Sequence, residues 1–332
     1  MNVGILAVEY CVGELVQTNA NLEEIVSNFD VNRSQQSLDS WVKSNFGIET
    51  RVKTKKAASE LAVEACRSLL KKSNLEVGDI DFLVLNTASG DYKQPTTATA
   101  VQTAIGMKRN SFAMEINMPC AGNIYGLATA YSFIKAGLGK VGLVVGVDKM
   151  SAIVDQEDFI LSGIFGDAAS ACLIGIDGPL EIRNIYLNSK ADLNHTLSMF
   201  SSGSKHPVDS QNLNLKNHFL KMKGKETKDF ISFSLKDTIV NLLNASKLEV
   251  HEVDQLVVHQ ASKRIIEETL EEMGFSNSQY LFTLEKYGNT SSASILLTLA
   301  KYLEESKSFK NIFLVGMGAG LNWGGVYLEK MR

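Results

Sequence analysis

The chain is predicted to be an α/β protein made of two similar halves, and three observations carry that prediction. Short apolar, β-branched runs alternate with helix-period stretches from end to end, the pattern of buried strands covered by helices. Two stretches of the first half return in the second. GDIDFLVLNTAS at 78–89 matches HEVDQLVVHQAS at 251–262, and CAGNIYGLATAYSFIKAGLGKVGLVVGVD at 120–148 runs parallel to GNTSSASILLTLAKYLEESKSFKNIFLVGMGAG at 288–320. Finally, 332 residues exceed one typical domain, so two packed units or one large α/β unit are expected.

In chain order, β-branched runs predict strands at 3–8, 82–85, 142–147, 171–176, 256–258, 312–315 and 325–329. Helical periodicity places helices at 59–72, 121–135, 230–246, 263–273 and 291–305. The polar segment 188–228, rich in Ser, Asn and Lys, has weak periodicity and reads as a lid or mobile excursion. The halves are assigned to 1–175 and 176–332. The repeat makes Cys120 and Asn289 equivalent helix starts and His259 the equivalent of Asn86. A pseudo-twofold relation between the halves brings those helix starts to one cleft.

Composition narrows the function classes. With 33 basic and 37 acidic residues the formal net charge is -4, which argues against nucleic-acid binding. The start MNVGILAVEYCVGE lacks the basic opening and cleavage site of a secretory signal, and no apolar run approaches the roughly 20 residues of a membrane span. A cytoplasmic location is therefore expected. Cys11, Cys66, Cys120 and Cys172 are scattered without a C-x-x-C pair, against a disulfide framework or structural zinc.

Three segments stop an apolar run with a residue suited to thioester chemistry: Cys120 in NMPCAG, His259 in LVVHQAS and Asn289 in KYGNTSSAS. A helix N-terminus favours a thiolate, so the helix after Cys120 is expected to lower the thiol's pKa from its reference of about 8.5. A neutral imidazole and a carboxamide can donate hydrogen bonds to an enolate oxygen, whereas an ionised carboxylate can only accept them. The glycine-rich GMGAG at 316–320 is not read as a nucleotide loop, because LNWGGVYLEK after it reads as a strand rather than a helix.

Together with VQTNANLEE, SWVKSNFGIETR, FGDAASACLIG and GMGAGLNWGG, these motifs resemble, in order along essentially the whole chain, the ketoacyl synthase III branch of the thiolase superfamily. Those enzymes join an acyl group to malonyl-acyl carrier protein. The resemblance implies a thiolase-like five-layered αβαβα fold, normally a homodimer, with no cofactor or metal. It also implies acyl-coenzyme A or acyl-carrier donors and acyl carrier protein as partner. Residue by residue, the nucleophile falls on Cys120 and the other catalytic residues on His259 and Asn289, with backbone oxyanion donors at Cys120 and Ala319. Substrate contacts are implied at Trp41, which stacks on the coenzyme adenine, and at Gln94, Met317, Gly224 and Arg264.

The sequence also departs from that pattern. Asn45 and Phe159 stand where the family commonly has arginine, removing two charge-assisted phosphate contacts. Gln94, in a loop that in this family reaches the partner subunit's pocket, replaces a residue that is often aromatic. Met317 replaces a phenylalanine and Ala319 a glycine, so the acyl tunnel is expected to be reshaped. Lys216, Lys221, Lys223, Lys225 and Lys228, with Arg264, read either as a solvated face or as a docking patch for an acidic carrier.

The implied activity is that of a 3-oxoacyl-[acyl-carrier-protein] synthase III-like condensing enzyme, in fatty acid or specialised lipid or polyketide biosynthesis. A Cys-bound acyl group is condensed with a malonyl thioester by decarboxylative Claisen condensation. One rival is acyl transfer without carbon–carbon bond formation, which has no enolate for Asn289 to stabilise. Another is a non-catalytic partner subunit, which has little need of the full triad.

Overall fold

The computed structural model describes residues 1–201, 203–305 and 308–331. Nine strands form one hydrogen-bonded series, in the order Gln255–Val258, Asn311–Gly318, Asn322–Lys330, Leu180–Ser189, Val3–Val12, Ala168–Ile176, Val141–Asp148, Phe82–Asn86 and Phe112–Ile116. The series is nearly cut at its middle. Strands Val3–Val12 and Leu180–Ser189 pair only at Gly4 with Glu181 and Ile5 with Leu180, so two leaves diverge from that corner.

The leaves repeat one another. In the first, Val3–Val12 runs antiparallel to Ala168–Ile176, which runs antiparallel to Val141–Asp148, which is parallel to Phe82–Asn86. In the second, Leu180–Ser189, Asn322–Lys330, Asn311–Gly318 and Gln255–Val258 follow with the same signs. The parallel outer strand Phe112–Ile116 is matched in the second leaf by a single parallel bridge between Leu256 and Tyr280.

Five layers result. Helices Gly122–Lys135 and Ser294–Glu305 lie between the leaves, and one core joins Ile124, Leu127, Ile295 and Leu299 to Val84, Val144, Val257 and Leu314. These helices carry apolar or small residues around much of their circumference, as buried helices do. Helix Ala58–Lys72 covers the outer face of the first leaf with Leu61, Ala65, Cys66 and Leu69 while Arg67 and Lys71 face water. Its start is fixed by the Glu60 carboxylate, which accepts the Ala57 N–H at 2.7 Å. Helices Gly224–Ser246 and Lys263–Glu272 cover the second leaf.

Strands and helices occur at each predicted position, with ends shifted by a few residues. Leu180–Ser189 and Phe112–Ile116 were not predicted, because half of the first and the edge position of the second leave polar or part-exposed residues and no clean apolar run. Segment 188–228 is not a free lid. Leu197–Ser198 pairs with Lys221–Met222, and the Leu220 N–H donates to the Ile153 carbonyl at 2.8 Å. A few apolar residues spaced through a polar stretch dock it, a signal too sparse for periodicity to register. Among the described residues no helix is long and apolar enough to cross a membrane.

Candidate active site

Cys120 stands between strand Phe112–Ile116 and the start of helix Gly122–Lys135, with a left-handed φ of 60°. Such a conformation is unfavourable for a residue with a Cβ and is found where the surrounding structure imposes it. Gly318 belongs to that surrounding structure: a Cβ there falls 2.8 Å from Cys120 Cβ and 2.6 Å from the Pro119 carbonyl oxygen, so only glycine lets this strand end approach Cys120.

His259 directly follows strand Gln255–Val258, and its N–H continues the parallel ladder by donating to the Val315 carbonyl at 2.8 Å. Its side chain is buried, with Nδ1 2.7 Å from Ser294 Oγ at the start of the central helix. Asn289 is clamped through its backbone, donating to the Ile164 carbonyl at 2.8 Å and accepting from the Gly166 N–H at 3.0 Å. Gly288 before it has φ of 73°, and a Cβ there meets the Ile164 carbonyl oxygen at 2.9 Å. The Ser291 N–H donates to Asn289 Oδ1 at 2.9 Å. That bond turns the amide so that its two N–H donors remain for another acceptor.

These three residues line one cavity of about 350 Å³. Trp41, Met317, Gly224, Arg264 and Ala319 line it too, whereas Gln94 is exposed on its loop and does not. The walls are largely apolar, including Ile153, Ile160, Ile164 and Phe165, with Leu197, Leu220 and Met222 supplied by the 188–228 segment. Among the described residues no group of three or more His, Cys, Asp or Glu side chains gathers to hold a metal ion.

Electrostatics at the site follow burial. His259 has its pKa pushed down to about 3 by burial, so the imidazole is neutral at any ordinary pH. Part of the Cys120 residue reaches solvent through the cavity, but protein closes around its sulfur. Burial pushes the thiol up to about 12, with Ser291 opposing and the Asp148 charge adding to the rise. This corrects the expected lowering by the helix. A helix terminus contributes at most about 2 kcal/mol, or roughly one and a half pH units, which does not offset burial here. At rest Cys120 is a thiol.

The two backbone N–H groups expected to meet an oxyanion differ in readiness. The Cys120 N–H donates to Ser291 Oγ at 3.3 Å, while the Ala319 N–H has no acceptor among the described residues. Asp148 is buried and accepts from Thr87, Ala88 and Ser89 on one side and from Ser292 on the other, tying the first leaf to the Asn289 loop. Ser291, Ser294, Gly318 and Asp148 were not singled out from sequence. The first two sit in the quoted GNTSSAS and Gly318 in GMGAG, but nothing in a run of small residues separates a site hydroxyl from a packing one.

At the cavity mouth Trp41 packs edge-on against Phe159, with ring centroids 4.9 Å apart, and also against Phe29 and Phe46. Asn45 Nδ2 donates to the Trp41 carbonyl at 2.9 Å. The helix that carries them, Leu38–Phe46, begins at Ser37, whose Oγ accepts the Ser40 N–H, and ends at Gly47 with φ of 77°. The lysine patch is largely committed to neighbours. Lys216 binds Asp155 and Glu157, Lys223 donates to the Asn194 carbonyl, and Glu268 lies between Lys228 and Arg264.

Residues 114–191 match the family described as 3-Oxoacyl-[acyl-carrier-protein (ACP)] synthase III, and residues 243–330 match its C-terminal counterpart. The beta-ketoacyl-[acyl-carrier-protein] synthase III of Chlorobaculum tepidum is 34% identical over 317 residues, covering 92% of this chain and 95% of the relative. That of Oceanobacillus iheyensis is 36% identical over 333 residues, covering 99% of each. Among solved structures, 3-oxoacyl-[acyl-carrier-protein] synthase III from Aquifex aeolicus superposes with a TM-score of 0.86 at 29% identity, covering 98% of this chain and 99% of that one. The synthase III from Pseudomonas aeruginosa gives 0.88 at 26% identity over 100% and 99%.

Proposed function

Because the chain belongs to the beta-ketoacyl-[acyl-carrier-protein] synthase III family, a family of acyltransferases with the thiolase-like fold that condense in fatty acid biosynthesis, we propose how its own residues divide that reaction. Cys120 Sγ attacks the carbonyl of an acyl thioester, and the carrier thiol leaves with the cysteine's proton. A malonyl thioester then enters and loses CO2. The enolate oxygen is met by His259 and by the Asn289 amide. The enolate carbon bonds to the acyl carbonyl, the C–S bond breaks, and Cys120 regains a proton from solvent as the 3-oxoacyl product leaves. The observation that carries this reading is the shared cavity: nucleophile and two neutral hydrogen-bonding groups, from three distant segments, line one apolar space.

Ala319, with its unpartnered N–H, is proposed as an oxyanion donor for the acyl carbonyl, with the Cys120 N–H joining it if Ser291 yields. Trp41, Gly224, Arg264 and Met317 are proposed to contact the incoming thioester, since all four line the cavity. Acyl carrier protein is the proposed partner, delivering its thioester at that mouth. The segments 1–175 and 176–332 are proposed as the two functional halves.

A homodimer is proposed through strand Phe112–Ile116. Its outer edge has no partner strand among the described residues, with Phe112 and Met114 exposed at 37% and 41%, and an exposed apolar edge is a ready template for another strand. Gln94 would then act in the partner's cavity. A solution mass equal to one chain would remove this proposal. The function itself is tested by release of labelled CO2 from malonyl carrier by the purified, acylated protein alone. Release coupled to 3-oxoacyl product supports condensation. Acyl transfer to another acceptor with no CO2 would favour the simpler transferase, and no covalent acylation at all would favour a non-catalytic subunit.

A further inference from the structure

Every hydrogen-bonding group that touches the His259 imidazole bears on which ring nitrogen carries its proton. The recorded protein contact is Nδ1 with Ser294 Oγ at 2.7 Å, and both side chains are buried, at 2% and 3% exposure. A hydroxyl has one proton to give, and Ser294 Oγ has no other partner among the described residues. If His259 donated from Nδ1, the buried hydroxyl proton would be left without an acceptor, which is costly. If Ser294 donates to Nδ1, that proton is used and the ring proton sits on Nε2.

The repeat supports a purpose for this contact. The repeat puts His259 at the position of Asn86, and the central helices meet these two residues with Gly126 in the first half and Ser294 in the second. In the first half the helix residue is a glycine so close that a Cβ would lie 2.4 Å from Asn86 Nδ2. In the second half the same helix–strand approach is occupied by a hydroxyl in contact with the imidazole. We infer that Ser294 is a positioning residue: its hydroxyl donates to His259 Nδ1 and holds the ring as the Nε2–H tautomer, with that N–H available to the enolate oxygen. The depressed pKa of His259 agrees, because only a neutral ring has a tautomer to choose. A ring locked in this way donates at Nε2 and does not act there as a base.

The inference rests on the reading of His259 as an enolate donor, so its test includes a readout independent of turnover. Whole enzyme labelled with 15N-histidine is studied by two-bond 15N–1H spectra, with the His259 signals assigned by their loss in His259→Gln. The expected wild-type spectrum shows His259 protonated at Nε2 alone, and Ser294→Ala shows a mixture of tautomers. In kinetics, Ser294→Ala loses condensation kcat by on the order of tenfold to hundredfold, the usual cost of losing a histidine's orienting partner. The KM for malonyl carrier stays close to wild type, and Ser294→Thr, which keeps the hydroxyl, recovers most of the loss. A wild-type ring protonated at Nδ1 overturns the inference even if Ser294→Ala cannot be purified. So does a Ser294→Ala enzyme that condenses at the wild-type rate. If the wild-type spectrum is as expected but malonyl carrier is never decarboxylated, the reading of the reaction fails while the assignment of Ser294 stands.

Discussion

The two leaves end in equivalent places and are put to different uses. At the end of Phe82–Asn86, the Asn86 amide donates to the Val145 carbonyl at 3.1 Å, and Gly122 and Gly126 let the central helix press directly on it. Asn86 does not border the cavity that holds Cys120. At the end of Gln255–Val258, His259 replaces the asparagine, Ser294 rather than a glycine faces it from the central helix, and the ring borders the cavity that also receives Cys120. The comparison teaches that a duplicated fold supplies two equivalent strand ends, and that glycines on the facing helix let one be packed tightly. On the proposed reaction, the first half keeps the nucleophile and the second supplies the two donors.

The largest effect that tests this division is on the nucleophile. Cys120→Ala is expected to abolish covalent acylation by an acyl thioester, while Ala at Cys11, Cys66 or Cys172 leaves it, as read by intact mass. Acyl label retained on the Cys120→Ala protein would move the nucleophile elsewhere. Next come the equivalent residues. His259→Ala should reduce condensation on the order of a hundredfold or more, the scale of losing one oxyanion donor, whereas Asn86→Ala should chiefly lower thermal stability. Equal losses of turnover from both would erase the difference between the strand ends.

A smaller effect sharpens the tightly packed side. Gly126→Ala drives a methyl into Asn86 and within 2.9 Å of Val144 Cγ1, so a stability loss of about 1–3 kcal/mol is expected in denaturant unfolding. An unchanged midpoint would show that the helix has room to move. On the open side, the raised Cys120 pKa sets the pH response. Only a minor thiolate fraction exists near neutrality, and that fraction grows tenfold per pH unit below the pKa. Alkylation of Cys120 by iodoacetamide should therefore accelerate without levelling between about pH 6 and about pH 9. A plateau in that window would mean that the helix start prevails over burial.

The smallest expected effect concerns donor choice at the mouth. Asn45 and Phe159 leave Trp41 among aromatic rings rather than beside cations. Acylation kcat/KM is expected to be higher with an acyl carrier than with the matching acyl-coenzyme A, and Asn45→Arg with Phe159→Arg should narrow the gap. A coenzyme A preference unmoved by those substitutions would show that the missing cations do not decide it.

How much of this was legible in the sequence depends on where each signal lies. That Cys120, His259 and Asn289 meet at one cavity could be foreseen because each interrupts an apolar run, and the repeat placed two of them at equivalent helix starts. Ser294 could not, since its role depends on a partner 35 residues away in sequence and only 2.7 Å away in space. Asp148 lies just beyond the strand predicted at 142–147, and its hydrogen bonds to Ser292 join elements that sequence order keeps far apart. The pKa of Cys120 was misread because a helix start is local and visible, whereas burial is a property of the assembled leaves. The docking of the 188–228 segment was hidden for a related reason: Leu197, Leu220 and Met222 become a wall only once the cavity exists.

The division of labour between halves is tested most directly by loading Cys120 with an acyl group and chasing with labelled malonyl carrier in rapid-quench experiments. Loss of the acyl mass and release of CO2 are followed together in the wild type and in Asn289→Ala. The account predicts one shared rate constant in the wild type. In Asn289→Ala both processes slow together by on the order of a hundredfold, while loading of Cys120 proceeds as before. Discharge of the acyl group from Asn289→Ala at the wild-type rate, or slowed loading with normal CO2 release, would contradict it.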